Sequence, residues 1–140
     1  GAIPLVRTMK AKGARTVLVS GGFTLFADVV AREIGFDRAL SNRLDIAGDK
    51  LAGTVARPIV GAAVKRETLL EEAAALGIGT EAVLAVGDGA NDIPMIETAG
   101  LGVAYHAKPR TAAAADARIA FGDLGALLYM QGYGRKEWSE

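Results

Sequence analysis

The segment that most constrains this chain runs from Val83 to Met95, where an apolar run stops at a polar, glycine-rich cluster. Val83–Val86 is apolar at every position, a pattern typical of a strand covered on both faces and therefore of a parallel sheet. The next six residues, Gly87–Asp92, combine glycines that permit a tight turn with Asp and Asn side chains. The segment therefore predicts a strand, a tight loop and then a helix.

This loop brings two carboxylates and one amide, those of Asp88, Asp92 and Asn91, to the end of a single strand. A turn with an Asp helix cap is the simpler explanation for an isolated Asp-Gly pair. Two acids at the end of a buried strand repel each other, however, and are costly to desolvate unless a cation or a basic side chain neutralises them. Among cations, Mg²⁺ suits such hard oxygen ligands.

Composition limits the class of protein. The chain has 140 residues, 51% of them hydrophobic, and no linker divides it, so we expect one domain over residues 1–140. Its 16 basic and 16 acidic residues balance, which argues against binding to nucleic acid or to an anionic membrane. No apolar run approaches the ~20 residues of a membrane span, and there is no cysteine. These features predict a cytoplasmic protein.

A second strand, Thr16–Val19, runs into a polar turn formed by Ser20, Gly21 and Gly22, and a helix is predicted from about Phe23 to Gly35. The Ser20 hydroxyl and unpaired amides of the two glycines at a helix start would suit a phosphate group. A plain helix cap is the alternative for this turn taken alone. This turn is the second place where a predicted strand ends in polar residues, and it lies one βα unit from the Asp88 loop. The presence of both favours the phosphate site.

Lys65 occupies an unfavourable position for a cation. The Ala- and Leu-rich stretch from Ala62 to Leu76 predicts a helix, and Lys65 falls in its first turn, where the helix already carries partial positive charge. An exposed lysine paired with Glu67 or Glu72 is one explanation. The other is an anionic partner elsewhere in the fold, either a phosphate or the Asp88 and Asp92 pair.

The remaining patterns complete an α/β fold. Residues 37–57 predict a β-hairpin excursion around Gly48-Asp49, in which Asn42 and Asp45 are expected to be solvated. Leu101–Ala104 and Arg118–Phe121 predict two further strands, separated by a helix that begins near Pro109. Alternation of strands and helices predicts a doubly wound, mainly parallel sheet.

Three motifs resemble those of the phosphoserine phosphatase branch of the haloacid-dehalogenase superfamily. The segment Gly87–Ile96 is similar to its last signature motif, Ser20–Phe23 to its second, and Lys65 to the lysine that is its third. The order of motifs matches along nearly the whole chain and includes the hairpin. The resemblance implies the Rossmann-like core of that superfamily.

The resemblance also implies roles for single residues. Asp88 would be a ligand of Mg²⁺, and Asp92 would orient Lys65 and metal-bound water. Lys65 would balance the charge that develops on the transferring phosphoryl group, and Asn91 would contact substrate or phosphate. The phosphoryl oxygens would be held by Ser20 and Gly21, with Gly22 in the same loop.

Two parts of the family pattern have no counterpart in these 140 residues. One is the Asp-x-Asp-x-Thr motif, which carries the nucleophile, and the other is the helical cap that recognises phosphoserine. We therefore expect an inactive core fragment of a Mg²⁺-dependent phosphoserine phosphatase of serine biosynthesis. The alternatives are a related small-molecule phosphatase or phosphotransferase, and a non-catalytic module that binds phosphate, metal or protein.

The family fold places the nucleophile strand between the strands Thr16–Val19 and Val83–Val86. Without it, both neighbours would expose unpaired backbone groups beside apolar side chains. We expect the two strands either to pair directly or to associate with a second copy of the chain.

Overall fold

The computed structural model describes residues 1–57 and 59–140. It divides into two compact units, which are described separately. The first comprises Gly1–Val60 with Asp123–Glu140, and the second comprises Gly61–Gly122.

Helices and strands alternate along most of the chain. The helices are α1 (Ala2–Ala11), α2 (Thr24–Ile34), α3 (Ala62–Ala75), α4 (Ile93–Thr98), α5 (Pro109–Ala114) and α6 (Ala126–Met130). The strands are β1 (Val17–Phe23), β2 (Arg38–Asn42), β3 (Leu44–Ala47), β4 (Lys50–Val55), β5 (Leu84–Gly87), β6 (Leu101–Tyr105) and β7 (Ala117–Ile119). Most of these bounds lie within one or two residues of those predicted from the sequence.

In the first unit, β1 and β2 pair in parallel. Val19 pairs with Leu40 and Phe23 pairs with Asn42, so β1 advances four residues where β2 advances two. The extra residues form a bulge over Ser20, Gly21 and Gly22, and α2 begins only after it, at Thr24. Gly35 then ends α2 in a left-handed conformation with φ of 102°, which favours glycine.

The antiparallel hairpin of the first unit is formed by β3 and β4. It occupies Leu44–Val55, whereas Arg38–Asn42, which the sequence placed in the excursion, belongs to the parallel pair with β1. Asp45 lies on the hairpin and accepts a 2.6 Å hydrogen bond from the Thr54 hydroxyl.

The second unit is built on a parallel sheet with the strand order β5-β6-β7. The central strand, β6, is the most buried, and Val103 and Ala104 are 0 and 1% exposed. In β5, Ala85 is buried and the other residues are partly buried, so the strand before Asp88 is less completely covered than its apolar sequence predicted. Ala85 packs in a core cluster with Leu69 of α3 and Ala99.

The α/β class with mainly parallel strands is confirmed. Within the described residues, β1 pairs with β2 alone and β5 is an edge strand of its own sheet, so each keeps one unpaired edge. None of the helices in the described part of the chain is both long and apolar enough to span a membrane.

Candidate active site

The loop after β5 is organised around the carboxylate of Asp92. Its Oδ2 accepts hydrogen bonds from the backbone amides of Asp88 at 3.0 Å and Gly89 at 3.1 Å. Gly87 must lack a side chain, because a Cβ atom there would collide with the Cβ of Asp92. Asp92 therefore caps the short turn Ala90–Asp92, whereas its side chain makes no capping bond to α4, the helix that follows.

The second oxygen of the same carboxylate, Oδ1, accepts a 2.7 Å hydrogen bond from Lys65 Nζ. Both side chains are buried, with 8% of Lys65 and 6% of Asp92 exposed. An exposed lysine paired with Glu67 or Glu72 is therefore the wrong explanation for the first turn of α3. A buried carboxylate offsets the unfavourable position of the cation.

The pKa of Asp92 reflects opposing influences. Burial raises it, but the hydrogen bond from Lys65, the amides of Gly89 and Asp88 and the charge of Lys65 outweigh burial. The net result is a pKa below the ordinary value of an aspartate. Asp92 is consequently ionised at neutral pH and holds a charged lysine.

The lowered pKa of Asp92 predicts how stability depends on pH. A carboxylate whose pKa is lower in the folded state than in the unfolded state stabilises the folded state. That stabilisation is complete at pH values above the ordinary pKa of aspartate, which is about 4. That contribution is lost as the pH falls through the folded-state pKa. We expect the difference in unfolding free energy between the unsubstituted chain and Asp92→Asn to shrink between pH 6 and 3, as measured by urea denaturation. A difference that stays constant over this range would contradict the prediction.

Asp88 and Asn91 differ from Asp92 in that both side chains are exposed. The argument that both acids must be neutralised because both are buried was therefore wrong for Asp88. Lysine satisfies the buried acid, and water can solvate the exposed one. Asp88 is left with a carboxylate that can bind a ligand from solvent.

The fit of this loop to a metal ion is partial. Among the described residues there is no group of three or more His, Cys, Asp or Glu side chains that could share a metal. Magnesium is usually held by one or two carboxylates together with waters and substrate phosphates. Asp88 can supply one such ligand, and further ligands would have to come from beyond the described residues.

The phosphate-loop candidates Ser20, Gly21 and Gly22 belong to the first unit. The Ser20 hydroxyl oxygen accepts a 3.0 Å hydrogen bond from the Gly22 amide, and both glycines are exposed. The expectation that the Gly22 amide is unpaired at the start of a helix was wrong, because the loop is a strand bulge and Phe23 is the residue that precedes α2. The hydroxyl hydrogen of Ser20 can still be donated to an anion.

Asn42 is the residue near this loop that the sequence interpretation missed. It is 6% exposed, not solvated as expected. Its Nδ2 donates to the Gly21 carbonyl at 2.9 Å, and its Oδ1 accepts from the Val60 amide at 2.8 Å. The sequence carried no signal for this role, because residues 37–57 were predicted to form an antiparallel hairpin and Asn42 reaches the bulge only through the parallel pairing of β2 with β1.

Comparison with known proteins agrees with this fold. The family profile described as haloacid dehalogenase-like hydrolase matches residues 1–100, and the chain belongs to this family. It is 48% identical over 132 residues to the phosphoserine phosphatase of Albidiferax ferrireducens, covering 91% of this chain and 56% of that protein.

Two solved structures are also similar. A crystal structure of a probable phosphoserine phosphatase from Vibrio cholerae, in unliganded form, has a TM-score of 0.87 and 41% identity. The alignment covers 91% of this chain and 40% of that one. A substrate-bound phosphoserine phosphatase complex has a TM-score of 0.86 and 38% identity, with coverage of 93% and 62%. The chain therefore spans about half the length of these relatives.

Proposed function

We propose that this chain is the phosphate- and metal-binding part of a Mg²⁺-dependent phosphoserine phosphatase. Such an enzyme hydrolyses O-phosphoserine to serine and phosphate and would act in serine biosynthesis in the cytoplasm. The observation that carries the proposal is that Asp92, which is paired with the buried Lys65, lies on the same loop as the exposed side chain of Asp88. Similarity to curated phosphoserine phosphatases supports the substrate class.

Lys65 is suited to stabilise a phosphoryl group in transfer. Its ammonium group has three N–H donors, and only one is needed for Asp92 Oδ1 at 2.7 Å. The remaining donors can reach phosphoryl oxygens on which negative charge develops. Because Asp92 is fixed by two backbone amides, it holds the lysine in place without reorganisation during the reaction.

The other residues bind and orient the substrate in this proposal. The Ser20 hydroxyl and the Gly21 amide hold phosphoryl oxygens, with Gly22 supporting the loop, and Asn91 contacts substrate or phosphate. A bound Mg²⁺ would supply neutralisation of phosphate charge, with Asp88 as one of its ligands. Its exposed carboxylate is compatible with that role.

The nucleophile is proposed to lie outside these 140 residues, because no Asp-x-Asp-x-Thr motif occurs in them. An aspartate oxygen would attack phosphorus, the serine oxygen would leave with a proton from a general acid, and water would then cleave the aspartyl phosphate. Asp88 cannot serve both as a metal ligand and as this nucleophile.

We also propose that the isolated chain associates with a second copy. The unpaired edges of β1 and β5 are the candidate contacts, since an exposed strand edge templates pairing with another strand.

The proposed substrate and metal can be tested together on the full-length protein that carries this chain. Phosphate release from phosphoserine should exceed release from other small phosphomonoesters and should require Mg²⁺. Asp88→Asn should lower the rate about tenfold or more at limiting Mg²⁺ and less at saturating Mg²⁺, because one of several ligands is lost.

Glu97→Gln is the matched control, because Glu97 is an exposed acid on α4 next to the same loop. Its rate should equal that of the unsubstituted protein at every Mg²⁺ concentration. Preference for another phosphomonoester would overturn the substrate assignment, and an unchanged Mg²⁺ dependence in Asp88→Asn would overturn the metal assignment.

A further inference from the structure

The peptide group between Gly21 and Gly22 is held from both sides. Its carbonyl, that of Gly21, accepts a 2.9 Å hydrogen bond from Asn42 Nδ2. Its N–H, that of Gly22, donates to the Ser20 hydroxyl at 3.0 Å. Because a peptide group is planar, these two bonds together fix the orientation of the whole group.

Such a clamp is needed at this position because the backbone is otherwise free to rotate. Two consecutive glycines have the widest conformational range of any residue pair. The bulge also removes their regular ladder pairing, since β1 carries two more residues than β2 between the paired positions. An isolated Gly-Gly bulge would sample many orientations of the Ser20 hydroxyl.

Asn42 has the chemistry to hold the bulge. An asparagine side chain carries both a donor and an acceptor. In this fold the donor serves Gly21 and the acceptor receives the Val60 amide at 2.8 Å, so the buried side chain is satisfied at both ends. The loop is therefore tied to a rigid, 6% exposed anchor at the end of β2.

The bond to Gly21 satisfies the buried amide of Asn42, and it also has an effect on the loop. Gly21 is exposed, so water could satisfy its carbonyl at little cost. The bond to Asn42 instead determines which way the Gly21–Gly22 peptide faces. The Ser20 oxygen accepts from that peptide, which leaves the hydroxyl hydrogen to point away from it.

We infer that Asn42 is a positioning residue for phosphoryl transfer, which orients the Ser20 hydroxyl through the Gly21–Gly22 peptide group. This inference rests on the proposed function, because it assigns Ser20 to the phosphoryl oxygens. Asn42 itself touches neither substrate nor metal in this role. Its loss should lower kcat more than it raises KM, since misplacement of a catalytic donor by about 1 Å can cost about 100-fold in rate.

The test uses Asn42→Asp in the full-length protein that carries this chain. The carboxylate keeps the acceptor for Val60 but presents an acceptor, not a donor, to the Gly21 carbonyl. We expect kcat for phosphoserine to fall about 10- to 100-fold with KM changed less than threefold. Hydrogen exchange of the Gly22 amide should also become faster. A general loss of stability would speed exchange throughout the chain and not at this amide in particular.

A double-variant cycle shows whether Asn42 acts through Ser20. The rate of Asn42→Asp combined with Ser20→Ala should be no lower than that of Ser20→Ala alone. Thr54→Val is the control, because it removes the exposed bond to Asp45 in the neighbouring hairpin and should leave kcat unchanged. If Asn42→Asp does not fold, Asn42→Ser replaces it under the same criteria.

The outcomes separate the inference from the proposed function. Phosphoserine turnover by the unsubstituted protein together with an unchanged kcat in Asn42→Asp would overturn the inference alone. Independent, multiplicative effects of the Asn42 and Ser20 variants would overturn it as well. A lack of phosphoserine turnover by the unsubstituted protein would overturn the proposed function, and the inference with it.

Discussion

Replacement of Lys65 by alanine is expected to lower phosphoserine turnover by orders of magnitude and to destabilise the fold by about 3–5 kcal/mol. The loss of stability follows from burial: removal of the ammonium group leaves the Asp92 carboxylate, 6% exposed, without its cation. The loss of rate follows from the proposed role of Lys65, whose N–H donors would bind the phosphoryl oxygens. Both are measured on the full-length protein, the rate by phosphate release and the stability by urea denaturation.

Arg66→Ala provides a matched control on the same helix. Arg66 is the next residue of α3, and its guanidinium donates to the Thr98 hydroxyl at the surface. An exposed interaction of this kind contributes about 0–1 kcal/mol, so both stability and rate should change little.

A paired replacement separates the catalytic role of Lys65 from its structural one. Lys65→Met combined with Asp92→Asn removes both buried charges and keeps an acceptor for the amides of Asp88 and Gly89. Such a neutral pair should recover most of the lost stability, since buried ion pairs are often replaceable by uncharged groups. The rate should stay low. Recovery of the rate together with stability would reduce Lys65 to a structural residue.

The partnership of Lys65 with an acid could be predicted from the sequence because both residues were unfavourable alone. A cation in the first turn of a helix and an acid at the end of a strand each needed an opposite charge, and the sequence left a phosphate and the Asp88 and Asp92 pair as the two candidate partners of Lys65. The strand, loop and helix around Asp88 were also predictable, since apolar runs, glycines and a following Pro94 mark their bounds.

The role of Asn42 could not be predicted, because it depends on pairing between distant segments. Only the parallel pairing of β2 with β1 places Asn42 opposite the bulge that contains Gly21. The bulge itself was missed for a related reason: glycines after an apolar run mark a turn in sequence, yet here β1 continues through them to Phe23. In the same way, periodicity did not reveal that β6 is the central strand of its sheet and β5 an edge.

The largest expected effect concerns the nucleophile. These 140 residues contain Lys65, Asp88 and Ser20 but no Asp-x-Asp-x-Thr motif, and phosphoryl transfer through an aspartyl phosphate needs an aspartate in line with phosphorus. In the proposed function, the remaining residues bind and stabilise a phosphoryl group but do not cleave its ester. Turnover by the 140-residue chain should therefore be absent, even where the chain is folded and phosphate binds.

The most direct measurement is Mg²⁺-dependent phosphate release from phosphoserine by the purified 140-residue chain, assayed beside the full-length protein that carries it. Circular dichroism and solution sizing on the same samples establish that the chain is folded and whether it forms dimers. We expect turnover by the full-length protein and none by the chain. Turnover by the chain that disappears in Lys65→Ala would contradict the absence of a nucleophile, because these residues would then contain their own.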